Sequence, residues 1–206
     1  MFTGLIREVA EVESFQNSRL TVKAKYTPKI GDSVAINGAC LTVVEVKKGE
    51  FSVELSEETT SNIVGEALKG AVHIEPAMQM GDRFEGHIVQ GHIDYIGTVS
   101  KINISGNSYD LYINLPKESL SLMISKGSIT VDGVSLTINE LTDSGIRLTI
   151  IPHTMENTIF NRYKVGTRVN IESDMFARYI ENIVSKKADS KASLSWSEVD
   201  SIMMRY

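Results

Sequence analysis

Two stretches, VAINGACLTVVEV at Val34–Val46 and ITVDGVSLTINEL at Ile129–Leu141, decide how this chain is organised. Shifted by 95 positions, Gly38 falls on Gly133, Leu41 on Leu136, Thr42 on Thr137 and Glu45 on Glu140. The same shift carries Thr59 onto Thr154 and Asn62 onto Asn157. Across a small gap, GAVHIE at Gly70–Glu75 lies against GTRVNIE at Gly166–Glu172, and Gly4-Leu5-Ile6 matches Gly91-His92-Ile93 at a shift of 87. Several blocks in one order mark a duplicated unit; chance likeness between β-rich segments would explain only one.

Each copy reads as β. Leu20–Ala24 and Leu111–Leu115 alternate with period two, the signature of half-buried strands. Asn37-Gly38 and Asp132-Gly133 are turn dipeptides between β-branched runs, and Lys48-Gly49-Glu50 and Asp143-Ser144-Gly145 are further turns. About six short strands per copy, with regular turn signals, predict an all-β chain of two similar six-stranded Greek-key-like closed barrels in tandem. A short helix is expected after each third strand, beginning near Thr59 and Thr154. The boundary falls at Met80–Gly86, giving units 1–86 and 87–175. Residues 176–206 break the pattern: Phe176, Tyr179, Ile180, Ile183 and Val184 have the spacing of an amphipathic helix. Beyond the polar run Lys186–Lys191, Ser195-Trp196-Ser197-Glu198 has the form of a capping box opening a last short helix. The apolar stripe must bury itself on its own barrel or on another subunit.

Composition narrows the function. With 206 residues, 42% hydrophobic and 23% charged, the chain has the make-up of a soluble globular protein. A formal charge of -5 with scattered Lys and Arg argues against nucleic acid, which needs clustered cations. Cys40 is the only cysteine, which leaves no intrachain disulfide and no Cys-based zinc site, and fits a reducing compartment. The four histidines lack the tight helical pairing of metal ligands. The N-terminus lacks the basic start and apolar core of a signal peptide, and no apolar run approaches a membrane span. The expectation is a cytoplasmic protein without membrane partners.

The quoted blocks, together with Met1–Ile6, Gly31–Val43, Gly86–Asp94, Lys126–Thr137, Ile151–Thr154 and Val169–Asp174, resemble the riboflavin synthase family from residue 1 to about 175. The resemblance implies an enzyme that dismutates two molecules of 6,7-dimethyl-8-ribityllumazine. One gives a four-carbon unit to the other, and riboflavin and 5-amino-6-ribitylaminouracil are released in the last step of riboflavin biosynthesis. It also implies a homotrimer whose active site lies between the first barrel of one chain and the second barrel of its neighbour. Neither cofactor nor metal is expected, because no net oxidation occurs and the lumazine ring itself delocalises the carbanion formed at its 7-methyl group.

By resemblance, the catalytic group is Ser33, Cys40, His92, Lys126, Thr137 and Asp174. Imidazole titrates near working pH, so His92 is the better general acid or base; Ser33 is a candidate for activating a nucleophile, and Asp174 for relaying protons. The substrate contacts implied in the first half are Gly4, Leu5 and Ile6; Cys40, Leu41 and Thr42; and Glu54, Leu55, Ser56, Glu57, Glu58 and Thr59. In the second half they are Gly91, His92 and Ile93; Lys126; Ser135, Leu136 and Thr137; and Ile150, Ile151, Pro152, His153, Thr154 and Met155. Leu5 stands where the repeat has His92, and Ala77 where it has Asp174, so the second half reads as the specialised one.

Each of these residues also has a plainer reading. A lone strand cysteine is commonly a small buried hydrophobe, a Ser or Thr near a glycine turn a backbone cap, and a strand-end Asp a capping group. His73 and His87 read as structural or surface residues. Glu85 stands where the family has a second glycine, and His73 where it has asparagine before Ile-Glu. The competing function is a lumazine- or flavin-binding antenna protein without turnover, which would lack the catalytic side chains of one half. A carrier or purely structural barrel pair would need neither His92 nor Asp174.

Overall fold

The computed structural model describes residues 1–191, with side chains through residue 186. Among these, twelve strands close into two six-stranded antiparallel barrels. The first uses β1 (Glu8–Gln16), β2 (Arg19–Lys23), β3 (Ser33–Ile36), β4 (Ala39–Lys47), β5 (Glu50–Glu54) and β6 (Ala71–Pro76) in the order β1-β2-β5-β4-β3-β6, with β6 returning to β1. The second uses β7 (Tyr95–Ser105), β8 (Ser108–Asn114), β9 (Ser128–Val131), β10 (Val134–Thr142), β11 (Gly145–Ile150) and β12 (Arg168–Ser173) in the equivalent circuit. The duplication therefore holds strand for strand. It extends to the irregularities: the register shifts at Val12/Ser14 and Val43/Glu45 recur at Val99/Lys101 and Ile138/Glu140. An extra residue on one strand of a pair bends it, and that bending lets so small a sheet close.

Alternation fills both interiors. In β2, Leu20 and Val22 are buried between exposed Arg19 and Lys23. They join Val34, Ile36, Phe51, Val53, Val72 and Ile74 in one core, while Val99, Leu111, Ile113, Ile129, Ile146, Leu148 and Ile171 form the other.

The short helices, α1 (Glu57–Asn62) and α2 (Pro152–Asn157), follow the fifth strand of each barrel, not the third. The third and fourth strands join through the two-residue turns Asn37-Gly38 and Asp132-Gly133, which leave no room for a helix. The longer connection from fifth to sixth strand has that room. Ser56 caps α1, its Oγ accepting from the Thr59 amide at 3.0 Å, so Thr59 lies inside the helix. The helix α3 (Met175–Lys191) leaves β12 and runs on through the polar stretch beginning at Lys186. The short helix expected at Ser195 lies outside the described residues.

The barrels meet back to back at their tight turns. Asn37 and Asp132 both have φ +44°, and Gly38 and Gly133 follow at +83° and +82°, as two-residue hairpins require. A Cβ on Gly38 would sit 2.7 Å from the Gly133 nitrogen, so the contact admits only glycine. Around it runs a paired set of hydrogen bonds. The His73 amide donates to Asn37 Oδ1 and the Asn170 amide to Asp132 Oδ1, both at 2.8 Å. Across the seam, Asn170 Nδ2 donates to the Asn37 carbonyl at 2.9 Å, and its Oδ1 accepts from the Val64 amide at 2.7 Å. His73 performs both tasks in the other direction, donating from Nδ1 to the Asp132 carbonyl and accepting at Nε2 from the Ile159 amide, each at 2.8 Å. A carbonyl only accepts and an amide N–H only donates, so the ring is neutral with its proton on Nδ1. An imidazole thus substitutes for an amide, and the structural reading of His73 stands.

Candidate active site

Between β6 and β7, and before β1, the chain does something its order does not announce. The segment that begins each repeat lies on the other repeat's barrel. Gly91 accepts a 2.8 Å hydrogen bond from the Cys40 amide, and Gly4 accepts one of the same length from the Ser135 amide. Ile93 packs against the first core and Ile6 against the second. Added Cβ atoms on Gly91 and Gly4 would each lie 2.6 Å from the Cβ of Cys40 and of Ser135, so these crossings too depend on bare backbone.

A buried carboxylate holds each crossing. Glu75 accepts from the Thr3 amide at 2.7 Å, from Thr3 Oγ1 at 3.0 Å and from the Gly4 amide at 3.0 Å. Glu172 accepts from the amides of Gln90, Gly91 and His92 at 2.7, 2.8 and 3.1 Å. Burial pushes both carboxyls above the ordinary range, and the amide donors pull them back. These two glutamates, aligned in the repeat but given no role from sequence, are the clamps that fix both mouths.

At the first mouth a cavity of about 400 Å³ is lined by Cys40, Glu58, Thr59, Asn62, Gly91, His92 and Ile93, with Ala39 and Ile63. Ser33 faces Thr42 across the β3–β4 ladder, and Thr42 lies two residues along from Cys40, on the same side of its strand. Glu54 pairs with Thr42 in the next ladder. The implied contacts Cys40–Thr42 and Glu54–Thr59 therefore share one mouth, but their partner is Gly91–Ile93 and not Gly4–Ile6. The latter segment goes to the second mouth, beside Ser135. This revises the division by halves. His92, though it belongs to the second repeat in sequence, equips the first barrel, and the second barrel receives Leu5.

The catalytic group accordingly splits. Of the six residues the resemblance implies, Cys40 and His92 line the cavity at the first mouth and Ser33 lies beside it, paired with Thr42 in the same barrel; Lys126, Thr137 and Asp174 belong to the second barrel. Thr137 pairs with Ser128 as Thr42 pairs with Ser33. Lys126 is exposed at φ +67°, where the first repeat has Gly31 at φ +92°, a conformation that costs a side-chain-bearing residue roughly 1–3 kcal/mol. Asp174 opens α3, its Oδ1 accepting from the Phe176 amide at 2.8 Å, and it lines a groove with Gly127 and Ser128. A capping role for Asp174 is thus real, alongside any other.

His87, which the sequence reads as a structural or surface residue, is buried. Its Nδ1 is hydrogen-bonded to Ser135 Oγ at 2.7 Å. Burial lowers its pKa, against an opposing pull from the Asp174 charge. Of the two histidines in GHIVQGH, Gly86–His92, His92 is the one that lines the first cavity. Asn62, duplicated as Asn157, was likewise legible as a candidate and lines the first cavity. Among the described residues no group of three or more His, Cys, Asp or Glu could hold a metal ion, and no helix is long and apolar enough to cross a membrane.

Comparison with known proteins agrees with the doubled barrel. The sequence profile of the lumazine binding domain matches residues 3–77 and again residues 90–174. Riboflavin synthase from Photobacterium phosphoreum is 40% identical over 207 residues, with 95% of each chain covered. That of Bacillus subtilis (strain 168) is 37% identical, with 93% of each covered, and that of Mycobacterium bovis 38%, with 89% of this chain and 98% of its own covered. Among solved structures, LumP complexed with riboflavin superposes with a TM-score of 0.75 at 22% identity, over 84% of this chain and 99% of that one. LumP complexed with 6,7-dimethyl-8-(1'-D-ribityl) lumazine gives 0.72. These two are likenesses of fold.

Proposed function

Since the chain belongs to the lumazine-binding family of riboflavin synthases, we propose that its two mouths each hold one 6,7-dimethyl-8-ribityllumazine and bring them into reaction. The enzyme is a transferase: one lumazine gives a four-carbon unit to the other, yielding riboflavin and 5-amino-6-ribitylaminouracil. The atoms of two substrates equal those of the two products, so no electrons need to enter or leave. The observation that carries this reading is the crossed pair of segments, Gly91–Ile93 over Cys40 and Gly4–Ile6 over Ser135, which builds two like grips for two like molecules. Holding two rings in register removes the entropy of their meeting, an advantage that reaches about 7–11 kcal/mol for well-oriented reactants.

Within this reading, His92 moves protons at the first mouth, Ser33 activates the nucleophile that adds to the acceptor ring, and Cys40 and Thr42 with their backbone groups grip the heterocycle. Lys126, Thr137 and Asp174, with Ser135 and His87, serve the second. The split of these groups between two mouths supports a site completed by a neighbouring chain, first barrel facing second barrel, in a homotrimer. The exposed stripe of α3 supports the same assembly, because Phe176, Tyr179, Ile180, Ile183 and Val184 are each more than half exposed. A cytoplasmic location completes the proposal, supported by the lone thiol.

Incubating the purified protein with 6,7-dimethyl-8-ribityllumazine tests the activity: riboflavin absorbance and fluorescence should rise as substrate is consumed. Tight binding without product would replace the enzyme by an antenna protein. For the assembly, Ile180→Glu with Val184→Glu should shift light scattering from trimer to monomer. An unshifted mass would reject α3 as the contact.

A further inference from the structure

The two crossings differ in one respect that neither the fold nor the repeat requires. The clamp at the first repeat's crossing is Glu75 alone, and among the described residues it forms no ion pair. The clamp at the His92 crossing carries a guanidinium as well. Arg178, one turn into α3, donates from Nη1 to Asp94 Oδ1 and from Nη2 to Gln90 Oε1, both at 2.8 Å, and Nη2 stands 3.6 Å from Glu172 Oε1. Asp94 is itself held, its Oδ2 accepting from the Ser173 amide at 2.8 Å and from Ser173 Oγ at 2.7 Å. Both ends of the segment Gln90–Asp94 are therefore tied to one side chain, and His92 is at its centre.

We propose that Arg178 is a positioning residue for His92, and that through it the seating of α3 sets the geometry of the reaction centre. The inference rests on the riboflavin synthase reading. The physical case is one of stiffness. A fork of fixed donors bridging two acceptors constrains direction as well as distance, which one ammonium cannot do equally well. Arg178 and Asp94 are largely withdrawn from solvent, with side-chain exposures of 25% and 17%, and Glu172 is buried at 1%, so the interactions are weakly screened. Removing the guanidinium would leave Glu172 its amide donors and Asp94 its bonds to Ser173, but would free the Gln90 side chain and Asp94 Oδ1. The backbone of the crossing would stay while the angle at which it presents His92 relaxed. Because α3 also carries the exposed apolar stripe, the same bonds connect subunit packing to His92.

The test compares wild type, Arg178→Ala, Arg178→Lys and Gln90→Ala in full-length protein. Since misplacement by about 1 Å can cost up to about 100-fold in rate, Arg178→Ala should lower kcat by about tenfold while KM changes less than about twofold. Arg178→Lys should recover part of that loss, and Gln90→Ala, which leaves the ion pairs intact, should cost about threefold. Thermal unfolding and light scattering should show folded protein of wild-type mass in each case. An unchanged kcat in Arg178→Ala, or a KM rise that matches the kcat loss, overturns the proposal. If Arg178→Ala does not fold, Gln90→Ala decides: a kcat equal to wild type overturns the proposal. Failure of the wild type to form riboflavin would instead overturn the activity on which this inference stands.

Discussion

At the first mouth Gly91 rests on Cys40 and His92 reaches the cavity; at the second, Gly4 rests on Ser135 and Leu5 holds the place of the histidine. The supports are the same in both: a buried glutamate gripping amides, a glycine too close to its neighbour for any side chain, an isoleucine plugging the opposite core. Apart from the Arg178 brace on the Glu172 clamp, the differences lie in the side chains that point away from this frame. Backbone hydrogen bonds do not depend on side-chain identity, so a duplicated frame can be kept while the groups it presents diverge. That suits a reaction in which two identical molecules meet opposite fates. In the proposed reading, like grips hold them and unlike chemistry decides which one gives.

The sharpest way to break the comparison is at His92. His92→Ala should lower kcat by about 100-fold, within the usual range for a general acid or base, while the dissociation constant for the lumazine moves less than about threefold. Its counterpart Leu5→Ala should change kcat by less than about threefold, because an alkyl group takes no part in proton transfer. Steady-state kinetics with a separate fluorescence titration of binding would distinguish the two effects. Equal losses in both variants would mean that the mouths do not differ in the way described.

A smaller effect is expected from the glycines themselves. Gly91→Ala and Gly4→Ala each force a Cβ into contact at 2.6 Å, and at φ +79° in both cases, so each should lose about 1–3 kcal/mol in chemical denaturation. Their functional costs should part. Gly91→Ala moves His92 and should reduce kcat by about tenfold, whereas Gly4→Ala moves Leu5 and should appear mainly in KM. A matched kcat loss would erase the distinction.

The barrels themselves could be read from the chain because their causes are local. Leu20 and Val22 alternate with polar neighbours, Asn37-Gly38 dictates its turn, and the copy at Asp132-Gly133 repeats the message. The crossings could not be read this way. An alignment of repeats sets Gly4 beside Gly91 and so assigns each to its own half, yet the contacts that matter join Cys40 to Gly91 and Gly4 to Ser135. Nothing in local pattern distinguishes a segment that closes its own barrel from one that closes its twin. The place of Arg178 is hidden for the same reason, since its partner Asp94 lies far away in sequence. The helices after β5 and β11 were expected at the right residues but after the wrong strand, a count that depends on which runs pair.

The mildest disturbance, and the one most specific to this chain, is to make the two halves of the seam alike. His73 is buried and neutral, its pKa brought down to about 4 by loss of water. Folded protein therefore resists the proton that the unfolded chain takes up near pH 6.5, and this contribution to stability is present above that pH and lost as the pH falls toward 4. Asp132 behaves oppositely. Fully buried, with the Tyr163 hydroxyl donating to it, it is raised to about 7, so its contribution is present below its ordinary value near 4 and lost as the pH rises through 7. The two slopes oppose each other across the acid range and flatten the wild-type curve. His73→Asn copies Asn170, whose amide already makes the equivalent bonds, and should expose the Asp132 slope: stability falling from about pH 5 to pH 8 by on the order of 3 kcal/mol. Asp132→Asn copies Asn37 and should expose the His73 slope, a loss of about the same size from about pH 7 to pH 4. Urea denaturation at several pH values would resolve both, and riboflavin formation should be near wild type in each variant, because neither side chain lines the cavity at the first mouth. Two curves parallel to wild type would show that the seam is indifferent to these protons and that the imidazole is held there by shape alone.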